Sequence, residues 1–314
     1  MTDLPAADSR RLRRLASGTS LVFALVLVGV KLAGWLLTGS VALLTSAVDA
    51  GLDVLASAVT FIGIRFAERP ADREHRYGHG KGETLAAFVQ ALLLASAGLV
   101  LLIQSVERLV TPEPLEAIGT GLWLIGGSLL AAIALVALQS WVLARAPSHA
   151  IAADRVHYLT DIVVNLAVLA ALGLTGLTGW TRIDPGFASA ISIYMMWCAR
   201  GILLEALRPL LDQELPAADR DAILGTLRAC PGVRNAHDLR TRDAGDRIFI
   251  ECHLEVDGAL TITVGHAISH AAETAVLRLY PNAEVITHLE PAGIQDERLD
   301  DKVAAAEATG PDGR

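Results

Sequence analysis

Charge is scarce in this 314-residue sequence. Asp, Glu, Lys and Arg make up 19% of it, against 53% hydrophobic residues and a mean hydropathy of +0.46. A soluble globular chain carries about a quarter charged residues. Apolar runs near ~20 residues, the length one helix needs to cross a bilayer, recur through the first two thirds. Together these exclude a wholly soluble protein. Basic residues never gather with interleaved aromatics and the net charge is -8, which argues against a nucleic-acid partner. Cysteine is equally sparse. Cys198, Cys230 and Cys252 form no CxxC pair and read as reduced thiols, with Cys252, beside His253, placed to act as an accessory metal ligand. An HExxH helix is missing, which argues against an intramembrane metal-dependent hydrolase. No small-residue cleavage site follows the apolar run after Arg14, so the N-terminus is not read as a signal peptide.

What is present divides into a membrane part and a soluble part. Six apolar segments run over 16–38, 41–66, 84–109, 118–144, 156–177 and 183–207. A cytoplasmic tail, 1–15, precedes a transmembrane domain over 16–210. Lys and Arg collect in that tail (Arg10, Arg11, Arg13, Arg14) and in the second-to-third connection (Arg65, Arg69, Arg73, Arg76, Lys81). Arg145 and Arg155 flank the fourth-to-fifth connection, while the opposite connections hold only Arg108 and Arg182. The positive-inside rule then predicts that both termini are cytoplasmic. From Leu211 charges become frequent. Helical spacing over 217–229, strands over 235–241 and 247–256 about the turn 243–246, a helix over 264–280 and a strand over 284–288 predict an α-β-β-α-β, ferredoxin-like cytoplasmic domain over 211–292. The polar, Ala/Gly-rich remainder, 293–314, is expected to be disordered.

The most informative residues are charges inside apolar runs. Asp49 and Asp53 sit near the middle of the second segment, four apart. An aspartate at the centre of a span costs about 2.5–3.5 kcal/mol on insertion scales, so two in one span require a reason. The fifth segment repeats the spacing with His157 and Asp161, and i, i+4 residues share a helix face. Two such faces opposed present three carboxylates and one imidazole, a donor set for a tetrahedral first-row metal ion. A second group, Asp72, His75 and His79, falls in the connection after that second segment, with Gly78 letting the chain turn. His237, His253, His266, His288 and Glu290 are gathered in the soluble domain. His270, one turn from His266, is a possible substitute ligand.

These motifs carry a resemblance. Asp49-AGL-Asp53, the stretch RPADREHRYGHGKGE from Arg69 to Glu83, His157-YLT-Asp161 and AHDLRTR from Ala236 to Arg242 resemble the cation diffusion facilitator family, in its bacterial zinc/iron efflux branch. The resemblance implies a homodimer in the bacterial inner membrane that exchanges a divalent metal for protons by alternating access. It implies a transport site of Asp49, Asp53, His157 and Asp161, a peripheral loop site of Asp72, His75 and His79, and a cytoplasmic cluster of His237, His253, His266, His288 and Glu290. Lys81 and Asp212 match a pair that interlocks protomers near the membrane surface. The pattern departs at Leu289 and Glu290, where the branch carries Gln-Asp. Zinc is the expected ion, structural as well as transported, with cadmium, ferrous iron and manganese left open as substrates. A metal sensor that binds without transporting is the rival reading, but it has no use for ligands in mid-bilayer.

Overall fold

The computed structural model describes residues 5–39, 41–111, 121–178, 180, 182–245, 247–294 and 297–308. These separate at Leu210/Leu211 into two compact units. The first consists of helices α1 (Ala6–Thr38), α2 (Val41–Ala67), α3 (Lys81–Val110), α4 (Gly121–Leu143), α5 (His149–Thr178) and α6 (Ile183–Leu210). All six are long and apolar enough to cross a membrane. Large apolar side chains stay exposed around the bundle, among them Val22, Leu37, Ile103, Leu130 and Trp197. An apolar surface of that extent is what lipid covers.

Three helices begin earlier than the hydropathy pattern predicts, α3 by three residues at Lys81 and α1 and α5 by more. Residues 6–15 were expected as a tail but extend α1 by nearly three turns. Two of their arginines are held, Arg13 by Glu83 at 3.0 Å and Arg14 by Glu68 at 2.6 Å. α5 starts at His149, seven residues before the apolar run, and the Ser148 hydroxyl accepts from the Ile151 N–H at 3.3 Å. Polar opening turns are invisible to a search for apolar runs. Residues 118–120, expected to open the fourth segment, lie outside the described residues. Small residues bring α2 and α3 together: a Cβ on Gly63 would stand 2.4 Å from that of Ala86.

The second unit is α7 (Ala217–Arg228), β1 (Asn235–Asp243), β2 (Ile248–Val256), α8 (Ile262–Leu279), β3 (Ala283–Pro291) and α9 (Leu299–Ala308). The sheet order is β1-β2-β3, with β1 antiparallel and β3 parallel to β2. α-β-β-α-β is thus the order of its main elements, as expected. Strand alternation sends Ile250, Cys252 and Leu254 into a core with Ile223 and Leu227 of α7 and Ala272 and Val276 of α8. The opposite face is left for His253 and Glu255. α9 corrects the expectation of a disordered tail. Its first two backbone N–H groups donate to Asp238, Leu299 at 2.9 Å and Asp300 at 3.0 Å, and the Asp300 carboxylate accepts from the Asp238 N–H at 3.1 Å. Residues 295–296 and 309–314 of that tail lie outside the described residues, as does Asp246 of the predicted turn.

Candidate functional site

Inside the bundle, the i, i+4 spacing on α5 presents His157 and Asp161 to Asp53 of α2. His157 Nε2 lies 3.2 Å from Asp53 Oδ1 and 3.6 Å from Asp161 Oδ2. One ligand atom from each residue falls within 4.8 Å of the others, close enough for a single ion. The Asp53 and Asp161 side chains keep 26% and 33% of their surface exposed, so neither carboxylate is sealed in by the helices of this bundle. His157 Nδ1 is buried and has no hydrogen-bond partner among the described residues. Tyr158, the next residue, is wedged on the neighbouring face by Ser57 at 2.8 Å and by an edge-on contact with Phe23, which fixes how α5 meets α1 and α2. Asp49 does not join this group. It is exposed on α2, one turn from Asp53, and a turn of helix separates the two along the axis by about 6 Å.

The loop residues converge. Asp72 Oδ1 lies 3.5 Å from His75 Nδ1, and its Oδ2 lies 3.3 Å from His79 Nε2. Gly78 takes φ 85, the left-handed conformation the turn needs. Asp72 Oδ1 accepts the N–H groups of His75 and Glu74 at 2.7 and 2.9 Å. The His75 N–H is the main cause holding the Asp72 carboxyl below its ordinary value, so it presents as a carboxylate. The two imidazoles stand 4.5 Å apart by ring centroids.

In the second unit, strand register aligns a histidine on each strand: His237 faces His253 on β2, which faces His288 on β3. Their ring centroids are 5.3 and 4.8 Å apart in turn. His237 Nε2 is 3.0 Å from Glu290 Oε1, and His253 Nδ1 is 3.3 Å from Glu290 Oε2. Two overlapping groups have metal-binding spacing, His237 with Glu255 and Glu290, and His237 with Asp238 and His253. Glu255 and Asp238 are absent from the expected set. Glu255 arrives by register, one row from the histidines, and Asp238 by a bulge at φ 51 that shifts the β1 register after His237. Among the described residues, His288 contributes its ring contact with His253 and joins neither group. His266 is exposed on α8 and stacks loosely on His270 at 6.5 Å, so neither helix histidine reaches the strand cluster in this arrangement. Leu289 is explained by packing, since it lies against the core that α7 and α8 cover. Cys252, expected as an accessory ligand, also faces that core. Burial, then the Glu273 charge, push its thiol up to about 12.

Lys81 opens α3, and Asp212 sits at φ 53 with its carboxylate 3.8 Å from Arg242. Two further polar groups escaped the sequence reading. Glu83 accepts from both Arg13 and Ser148. Asp154 of α5 is fully buried among side-chain amides.

Comparison with known proteins agrees with this architecture. Residues 19–211 match the family model described as the cation efflux transmembrane domain, and 215–292 match the cation efflux protein cytoplasmic domain. The chain therefore belongs to the cation diffusion facilitator, or cation efflux, family of membrane transporters, and its activity is metal cation efflux. Among curated relatives, the cation-efflux pump FieF of Klebsiella pneumoniae is 40% identical over 282 residues, 90% of this chain and 93% of that protein. FieF of Salmonella arizonae is 38% identical over 284 residues, 90% and 94% of the two chains. Among solved structures, the metal-bound C-terminal domain of the CzcD transporter from Thermotoga maritima is 31% identical. That match covers 25% of this chain and 93% of the other, with a TM-score of 0.24.

Proposed function

We propose that this protein exports zinc from the cytoplasm in exchange for protons, with Asp53, His157 and Asp161 as the core of the transport site. The observation that carries the reading is the meeting of those three side chains between α2 and α5, in a stretch where each charge is costly unless used. Asp49, one turn along the same helix, completes the shell when α2 shifts during the transport cycle. The imidazole favours zinc over manganese, which takes all-oxygen shells, and cadmium and ferrous iron remain compatible with the donors. The competition for protons is chemical. Carboxylates and imidazole must be free of protons to hold a cation, so each ion bound or released moves protons the other way.

The same reading places both termini and the second unit in the cytoplasm of a bacterial cell, across the inner membrane, by the distribution of Lys and Arg. It makes the loop group a peripheral metal site. It makes the histidine row a cytoplasmic cluster whose bound zinc offsets repulsion between two acidic copies in a homodimer, with Lys81 and Asp212 as the interlock. Replacing Asp53 by alanine tests the core of it. Zinc flux in proteoliposomes is expected to fall to background while the protein still inserts and dimerises, and flux near wild type would sink the assignment.

A further inference from the structure

Asp154 has no solvent exposure, and among the described residues no Lys or Arg forms an ion pair with it; the charged group that acts on it is His157, one turn along α5. Its Oδ2 accepts from Gln139 Nε2 of α4 at 2.8 Å, and its Oδ1 from Gln90 Nε2 of α3 at 3.3 Å. The Gln139 amide also donates to Ser20 Oγ of α1 at 2.9 Å. That of Gln90 is aimed at the Ala56 carbonyl and Thr60 Oγ1 of α2, both at 2.8 Å. Five helices are thus tied into one network around this carboxylate, α3 and α4 through direct hydrogen bonds and α1 and α2 through the two amides. The hydrogens do not suffice: Gln90 Nε2 has two to share among three acceptors. The carbonyl oxygens Gln90 Oε1 and Gln139 Oε1 are buried with no hydrogen-bond partner among the described residues. The Ser20 hydroxyl also hydrogen-bonds Asp154, and His157 is the nearby ionisable nitrogen, but the two amide oxygens beside the carboxylate are left unpaired, so the pocket holds more oxygen lone pairs than hydrogens to fill them.

A packing hub does not need that composition. Asparagine at 154 would have the same shape, would donate to an amide oxygen, and would avoid the cost of a buried carboxylate. The position supplies a use for the charge. Asp154 precedes His157 by three residues, about 4.5 Å along the helix, on the side where α5 begins. Thr60 and Gln90 lie toward the α2–α3 connection in the same way. An ion moving between that end of the bundle and His157 passes this level. Rotating either amide about its last bond exchanges nitrogen for oxygen and turns a donor to Asp154 into a ligand beside it.

We propose that Asp154, with the amide oxygens of Gln90 and Gln139, forms a second intramembrane cation station, at which the transported divalent ion pauses between the α4–α5 end of the bundle and the Asp53–His157–Asp161 triad. The proposal rests on reading the triad as the transport site. With one charge and only oxygen donors the station is harder and weaker than the triad, as a point of passage must be.

The test is Asp154→Asn, in full-length protein in proteoliposomes with zinc titrated on the side bearing the α4–α5 connection. Loss of a charge beside the route is expected to lower kcat/KM about tenfold or more, with kcat changed far less. Asp154→Glu, which keeps the charge, is expected to restore most of that loss. Wild-type kinetics in the asparagine variant would overturn the station and leave a packing hub. Should the asparagine variant fail to fold, cadmium-loaded Asp53→Ala protein gives a second reading. There, with the triad disabled, anomalous density is expected beside Asp154, and a bare carboxylate at saturating cadmium would overturn the proposal. Retained zinc flux in Asp53→Ala would overturn the triad and the station together. Lost flux there with unaltered Asp154→Asn overturns the station alone.

Discussion

One ring nitrogen does double duty at the centre of the bundle. His157 Nε2 is within 3.6 Å of both Asp53 and Asp161, and it can hold a proton between those carboxylates or a metal ion, never both. It is also the only nitrogen in the proposed transport site. His157→Asp is therefore expected to keep binding but lower the zinc-to-manganese flux ratio about tenfold, because an all-oxygen set gives up the softer donor. An unchanged ratio in a metal-by-metal flux assay would remove His157 from the coordination shell. Cys252 makes the opposite case, a residue beside a ligand that takes no part. Its thiol, ordinarily near 9, is pushed up to about 12 by burial against α7 and α8. Thiol reagents at neutral pH are expected to spare it until the second unit unfolds. The unfolded chain releases this proton from about pH 9, while the folded one holds it to about 12, so stability falls as pH rises through that window. Tyr280, pushed up to about 12 mainly by burial and then by its hydrogen bond to Asp219, adds to the slope. Cys252→Ala should flatten the alkaline limb of a denaturation series without abolishing it.

At the scale of elements, what could be read in advance was what repeats locally. Apolar runs located the spans, i, i+4 charges located His157 with Asp161, and strand patterning put His237 and His253 on two separate strands. What could not be read depends on partners distant in sequence. α9 has no apolar stripe to announce it. Its N-terminal N–H groups are capped by Asp238, some 61 residues back on β1, and Arg298 just before it reaches Glu255 at 2.7 Å. Glu255 and Asp238 could not be counted as cluster members before the β1–β2 register and its bulge were known. Asp154 was passed over because it sits among Arg155 and other residues at the polar start of α5, where a charge looks ordinary. The α9 docking is itself testable. Asp238→Ala removes two caps, a loss of about 0.5–2 kcal/mol. In metal-free protein, amide exchange over 299–308 is expected to quicken several-fold while that of β2 stays as it was. Equal protection in both proteins would mean that other contacts hold the helix.

The whole molecule is an antiporter only if the site that binds metal is the one that carries protons back. When all are deprotonated, Asp49, Asp53 and Asp161 bring three negative charges against a divalent ion, with His157 neutral, so the loaded site keeps one negative charge to spare. On an acidic face, protons compete for the imidazole and at least one carboxylate, and coordination weakens until the ion leaves. On a near-neutral face the same groups lose their protons and capture metal again. A gradient acidic on the face opposite the Lys/Arg-rich connections should therefore accelerate zinc movement toward that face, and each ion moved should return protons. A protonophore should slow net export, and His157→Ala should blunt this pH dependence more than it blunts zinc binding at alkaline pH. The measurement is zinc flux in oriented vesicles with an internal pH dye. Saturable zinc flux that ignores the imposed gradient, with no proton signal, would make the protein a metal facilitator without exchange.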